Sequence, residues 1–212
     1  MALVFMAEKH YHSCLIRSYS CTNAEQTYNF FQQINNPQGQ VYCLLYISDL
    51  AREESLHEAD RALKHVEKLL QKHKFAYAEG RFLLEKAELA RALGLSAKVR
   101  NYLALLDRHL NNKVQFITPP PLLSAHSRCV MAEHARQINS SEADYLLREA
   151  RDMYSVLGAN YYTTRIDVAR WLTSRTSINC SKLITISKKE GYGHEIKQLR
   201  NPSLSYYPLH FV

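Results

Sequence analysis

Phe82-Leu83-Leu84-Glu85-Lys86-Ala87-Glu88-Leu89-Ala90-Arg91-Ala92-Leu93-Gly94, followed by Val99, Leu103 and Leu106, is the stretch that decides the fold. Leu, Ala, Glu, Lys and Arg dominate it, and these residues lose least on entering a helix. Leu83, Ala87 and Ala90 recur at steps of four and three, which places them on one helical face. Gly94 ends that helix, Ser96 stands where a cap for the next is expected, and Val99, Leu103 and Leu106 repeat the same step. Two amphipathic helices joined by a tight turn are predicted.

Working outward, the second half of this unit occurs four times. Ala24, Tyr28 and Phe31; Ala59, Leu63 and Val66; Val99, Leu103 and Leu106; and Ala143, Leu147 and Ala150 share the spacing, and their first members lie 35, 40 and 44 residues apart. Twelve residues before each first member lies the middle of another helical run, at His12, Ile47, Ala87 and Met131. Around Ile47, the residues Cys43, Ile47 and Leu50 share a face. The connections carry turn residues: Asn35-Asn36-Pro37-Gln38-Gly39, Gly94, Pro119-Pro120-Pro121, and Ser140-Ser141 before Glu142 and Asp144. A last helix is predicted from about Asn160 to Thr173, with Val168, Ala169 and Leu172 packing and Trp171 closing the stack. The expected fold is all-α, a right-handed solenoid of antiparallel helical hairpins over residues 1–173.

Residues 174–212 read differently. Asn201-Pro202, Tyr207-Pro208 and Gly191-Tyr192-Gly193 disfavour a helix, and Lys182 to Ser187 alternates apolar and polar residues as a lone strand would. An irregular, mobile or loosely docked basic tail containing Tyr and Ser is expected there.

The 212 residues carry a formal charge of +7. Six basic residues against two acidic ones in 174–212 supply +4 of it, which leaves a weakly basic body and only a modest case for nucleic acid. No stretch of about 18 uncharged apolar residues occurs, so no membrane partner is expected. MALVFMAEKHYH has no basic region before its apolar run, unlike a signal peptide. Cys14, Cys21, Cys43, Cys129 and Cys180 are odd in number and scattered, as suits reduced thiols. An intracellular protein, cytoplasmic or nuclear, is expected.

Phe82 to Gly94 with Val99, Leu103 and Leu106 resembles a tetratricopeptide unit, Ala87 being the small residue where paired helices approach and Gly94 the turn. Lys86 departs from the apolar residue usual beside that alanine, and the 40- and 44-residue periods exceed the family's 34. Among long-period members, Leu44 to Leu110, with LLYISDLAREESLHEADRAL and FLLEKAELARALGLSAKVRNYL, is similar in order and spacing to the C-terminal repeats of the anaphase-promoting complex subunit 5 family. That resemblance implies a subunit of a cell-cycle ubiquitin ligase. The bacterial signalling ATPases and related transcription regulators have similar repeats, which Ala150 to Gly158 also fits, and these imply a sensory or regulatory role.

The tetratricopeptide resemblance implies a concave groove, lined by the first helix of each pair, that holds a peptide or a neighbouring subunit. With Ile47, Ala87 and Met131 as buried references, offsets of −3, +1, +4 and +5 fall between about 40° and 140° on the helical wheel. They select Ser48, Ala51 and Arg52; Leu84, Glu88 and Arg91; and Arg128, Ala132, Ala135 and Arg136. Arg52, Leu84, Glu88, Arg91, Arg128 and Arg136 are the candidate partner-binding residues. Arginine clamps carboxylates bidentately, so other protein subunits or an acidic segment are the expected partners. An RNA-binding helical repeat is the third reading, and its affinity would fall steeply with salt.

Catalytic and cofactor signatures are missing from the sequence. No GxxxxGK[ST], GxGxxG or GxSxG occurs, and His57-Glu58 continues into Ala59-Asp60-Arg61 rather than HExxH. His10, His12, Cys14 and Cys21 have zinc-binding side chains, but no CxxC completes a ligand set and residues two apart on a helix point apart. His134 beside Glu133 is expected on a solvated face, as is the Lys64, Lys68, Lys72 stripe. No enzyme, cofactor or metal is expected.

Overall fold

The computed structural model describes residues 21–174 and 180–189, and among these every regular element is a helix. In chain order they are α1 (Cys21–Gln33), α2 (Pro37–Glu54), α3 (Leu56–Lys72), α4 (Ala76–Ala92), α5 (Ser96–Leu110), α6 (Pro121–Gln137), α7 (Ala143–Val156), α8 (Asn160–Ser174) and α9 (Cys180–Lys189). The body expected as one array divides into two compact units between Thr118 and Pro119, where the proline run interrupts the helices.

In the first unit α2 packs against α1, α3 and α4, and α4 packs against α2, α3 and α5. Its core joins Val41, Leu44 and Leu45 of α2, Ala59, Leu63, Val66 and Leu70 of α3, and Ala78 and Leu89 of α4. A Cβ at Gly39 would run into the Phe31 ring, so glycine permits α1 and α2 to approach there. Cys43, on α2, is partly buried, and that burial pushes its thiol up to about 12.

In the second unit α6 packs on α7, α7 on α8 and α8 on α9. Leu123, Cys129 and Val130 of α6 are buried, as are Leu146, Leu147 and Tyr154 of α7 and Ile166, Val168 and Ala169 of α8.

The repeated trios fall where their spacing places them. Ala59, Leu63 and Val66 on α3, Val99, Leu103 and Leu106 on α5, and Ala143, Leu147 and Ala150 on α7 are all buried; on α1, Ala24 is buried and Tyr28 and Phe31 are partly so. Ala87 is fully buried, but Ile47 and Met131 are only partly buried. His12 lies outside the described residues.

Four helices end in one way. Asn35, Gly94, Asn139 and Gly158 have positive φ, and after each the next amide donates back across six residues, Asn36 to Phe31, Leu95 to Ala90, Ser140 to Ala135 and Ala159 to Tyr154. This motif satisfies carbonyls the helix leaves open, and it selects glycine or asparagine at the left-handed residue. The N-termini vary. Asn36 accepts from the Gly39 amide at 2.9 Å, and Ser55 accepts from the Glu58 amide at 3.3 Å. Ser96, expected as a cap, is instead the first helical residue after Leu95, which makes no side-chain cap bond.

Residues 180–189 correct the expectation of an irregular tail. They form α9, whose Leu183 is buried against Val168 with Trp171, Cys180 and Ile184 around it. That contact with α8 favours the helix despite the β-branched run, because tertiary burial outweighs local propensity. Residues 175–179 and 190–212 of the expected tail lie outside the described residues.

Candidate functional site

One buried face per helix would leave the opposite side of α2 and α4 open. α2 and α4 each have three helical neighbours in the first unit, so the face expected to be open is enclosed. Arg52, Leu84, Glu88 and Arg91 are all buried, with Leu84 and Glu88 at 0% and 1% exposure. This corrects their expected placement on an open groove. Ser48, Ala51, Ala132 and Ala135 are buried too.

The buried charges meet on the α2–α4 seam. Arg52 donates from one terminal nitrogen to Glu85 Oε2 at 2.5 Å and from the other to Asp49, one turn earlier on α2. Its Nε lies 4.0 Å from Glu88 Oε2. Arg81 reaches Glu85 Oε1 at 3.3 Å, and Arg91 grips Glu88 in bidentate fashion at 3.0 and 2.9 Å. Three guanidinium groups thus face three carboxylates. Burial pushes the Glu85 carboxyl up to about 7, and Asp49 adds to the rise while Arg52 and Arg81 oppose it. Burial alone would lower Arg52, but Asp49, Glu85 and Glu88 outweigh it and hold the guanidinium above its ordinary value. The two directions oppose each other across one contact. A guanidinium stays protonated in either case, so any proton exchange at the seam belongs to its carboxylates.

On α6 the two remaining candidate arginines are partly buried and already paired. Arg128 lies 3.3 Å from Glu149 on α7, and Arg136 donates to Glu133 at 2.9 Å. Glu133 and His134, expected on a solvated face, are both buried.

A second polar cluster occupies the second unit's core. His126 Nδ1 of α6 shares a short hydrogen bond with the Tyr154 hydroxyl of α7, and the Cys129 thiol points at the same oxygen from 3.9 Å. The Tyr154 ring stacks on Tyr162 of α8 at 4.8 Å, and His126 meets Tyr162 edge-on at 5.1 Å. Sequence reasoning missed this cluster, since a lone His or Tyr within an apolar helix carries no spacing signal.

Lys64, Lys68 and Lys72 are exposed on α3, Lys64 pairing with Asp60 at 2.7 Å. His10, His12 and Cys14 lie outside the described residues; among the described residues no group of three or more His, Cys, Asp or Glu is placed to hold a metal ion. Among the same residues no helix is long and apolar enough to cross a membrane, and Cys43 and Cys180 are free thiols. Comparison with known proteins finds no matching family, no matching curated protein and no matching solved structure.

Proposed function

We propose that this chain is a non-enzymatic scaffold or adaptor that holds other protein subunits. The observation that carries the reading is the inward placement of the repeated trios on α1, α3, α5 and α7. A helical unit repeated in this way buries one face of its second helix and leaves the opposite face to solvent, and stacked repeats present binding surfaces on such faces. The finer form of the reading is a right-handed solenoid of antiparallel, tetratricopeptide-like hairpins in the cytoplasm or nucleus. The free thiols suit that reducing setting. The likeness of Leu44 to Leu110 to the anaphase-promoting complex subunit 5 family makes a cell-cycle ubiquitin-ligase assembly the first one to test.

The test is affinity purification of the tagged chain from its own cell, followed by mass spectrometry, with Ala87→Trp as a packing-deficient control. Ala87 has no room for an indole, so overpacking should cost about 1–3 kcal/mol and release the partners. A defined set of subunits in fixed ratio, lost with Ala87→Trp, is the expected result. Recovery of the chain alone overturns the reading. A fixed set without anaphase-promoting complex subunits removes that assignment and leaves the scaffold.

A further inference from the structure

The outward face of α3 differs from the corresponding faces of the related helices. Measured from the first residue of each trio, positions −2, +2, +5 and +9 point away from the buried side, within an arc of about 140° to 200° at 100° per residue. On α3 these are His57, Arg61, Lys64 and Lys68, and Lys72 and His65 widen the arc to about 240°. On α5 they are Ala97, Asn101, Ala104 and Arg108, and on α7 the last three are Tyr145, Arg148 and Asp152. Solubility is therefore met elsewhere by neutral or mixed side chains, whereas α3 presents four cations and two imidazoles with no carboxylate among them. The neighbouring acids sit at its margins, where Glu58 holds Arg61 at 2.5 Å and Asp60 holds Lys64 at 2.7 Å. Lys68 and Lys72 have no carboxylate partner among the described residues. The strip from His57 to Lys72 is about 22 Å long at 1.5 Å per residue.

We propose that the outward face of α3 docks an acidic peptide segment of a partner protein. This rests on the scaffold reading above and adds the partner's chemistry. No Phe, Tyr or Trp lies in the arc, and single-stranded nucleic-acid surfaces combine cations with aromatic stacking platforms, so carboxylates fit this strip better than bases. Ammonium groups on long flexible stems suit the spread charge of an Asp- and Glu-rich segment and need no fixed bidentate geometry.

The test uses the full chain and a fluorescein-labelled polyglutamate peptide, read by fluorescence anisotropy over a range of salt. Lys68→Glu with Lys72→Glu is compared with Lys98→Glu with Arg100→Glu, an equal charge change on exposed positions of α5. Saturable binding that weakens with salt is expected, with a loss of about tenfold in the α3 variant and less than about twofold in the α5 variant. No binding, or equal loss in both variants, overturns the proposal. So does equal or tighter binding of a single-stranded oligonucleotide or a phosphatidylserine vesicle at matched charge. Retention of co-purified partners by the α3 variant defeats this docking site but leaves the scaffold reading intact, while absence of partners from the wild-type chain defeats the scaffold reading first.

Discussion

The α2–α4 seam of the first unit and the α7–α8 seam of the second are both bridged by arginine and carboxylate, in opposite surroundings. Between α2 and α4, the Arg52 and Glu85 side chains are 3% and 0% exposed. Between α7 and α8, Arg151 grips Asp167 in bidentate fashion at 2.7 and 3.1 Å, and Arg170 holds Asp144 at 2.8 Å, but Arg151 remains 38% exposed. The hydrogen bond to Asp167 holds Arg151 above the ordinary guanidinium range against the opposing effect of burial. The geometry is as good or better in the second unit. Burial, rather than bond length, sets what losing a partner costs, because an uncompensated charge in a dry seam has no water to replace what was lost.

The contrast is broken most severely at Glu85. Glu85→Leu leaves Arg52 and Arg81 short of a carboxylate inside the seam, and chemical denaturation should show a loss of about 3–5 kcal/mol. A loss under 1 kcal/mol would mean that the seam rehydrates. The pH dependence sharpens the point. Because the folded carboxyl lies near 7 and its reference value is 4.5, the native state holds the extra proton between them. The stability linked to that proton is present in full below 4.5 and drains away as pH rises through 7. Melting of wild type should therefore decline relative to Glu85→Gln from about pH 5 to about pH 8. Parallel curves would show Glu85 ionised throughout.

An intermediate effect is expected at Tyr154, which is buried but neutral. Tyr154→Phe keeps the stack on Tyr162 and deprives His126 of the hydroxyl, which should lower stability by about 1–3 kcal/mol in thermal or urea melts. No change would place the imidazole's hydrogen bonding elsewhere. The smallest effect belongs to Asp167→Asn, at about 0–1 kcal/mol, shrinking further in added salt. A cost equal to that at Glu85 would erase the distinction between the seams.

Much of the helical arrangement was legible because apolar spacing encodes which face turns inward, and Ala59 to Val66, Val99 to Leu106 and Ala143 to Ala150 obey it. The Gly94 turn was legible for the same local reason, the tolerance of glycine for a left-handed backbone. Arg52, Glu88 and Arg91 were misplaced because a charge in a sequence reads as solvent-facing, whereas a helix with three neighbours has no solvent side to offer. The pairs Asp49 with Arg52, Arg81 with Glu85 and Glu88 with Arg91, each three or four residues apart, held the clue. α9 was missed because Ile184, Thr185 and Ile186 favour strands locally, and the contact of Leu183 and Ile184 with α8 decides otherwise.

The partly buried Cys43 gives α2 a chemical clock. With its thiol raised to about 12, only about one molecule in ten thousand carries the reactive thiolate at pH 8, far less than for a free cysteine. Alkylation at this position is therefore expected to be slow in the folded state, and its rate to rise with the fraction of molecules in which the helix is open.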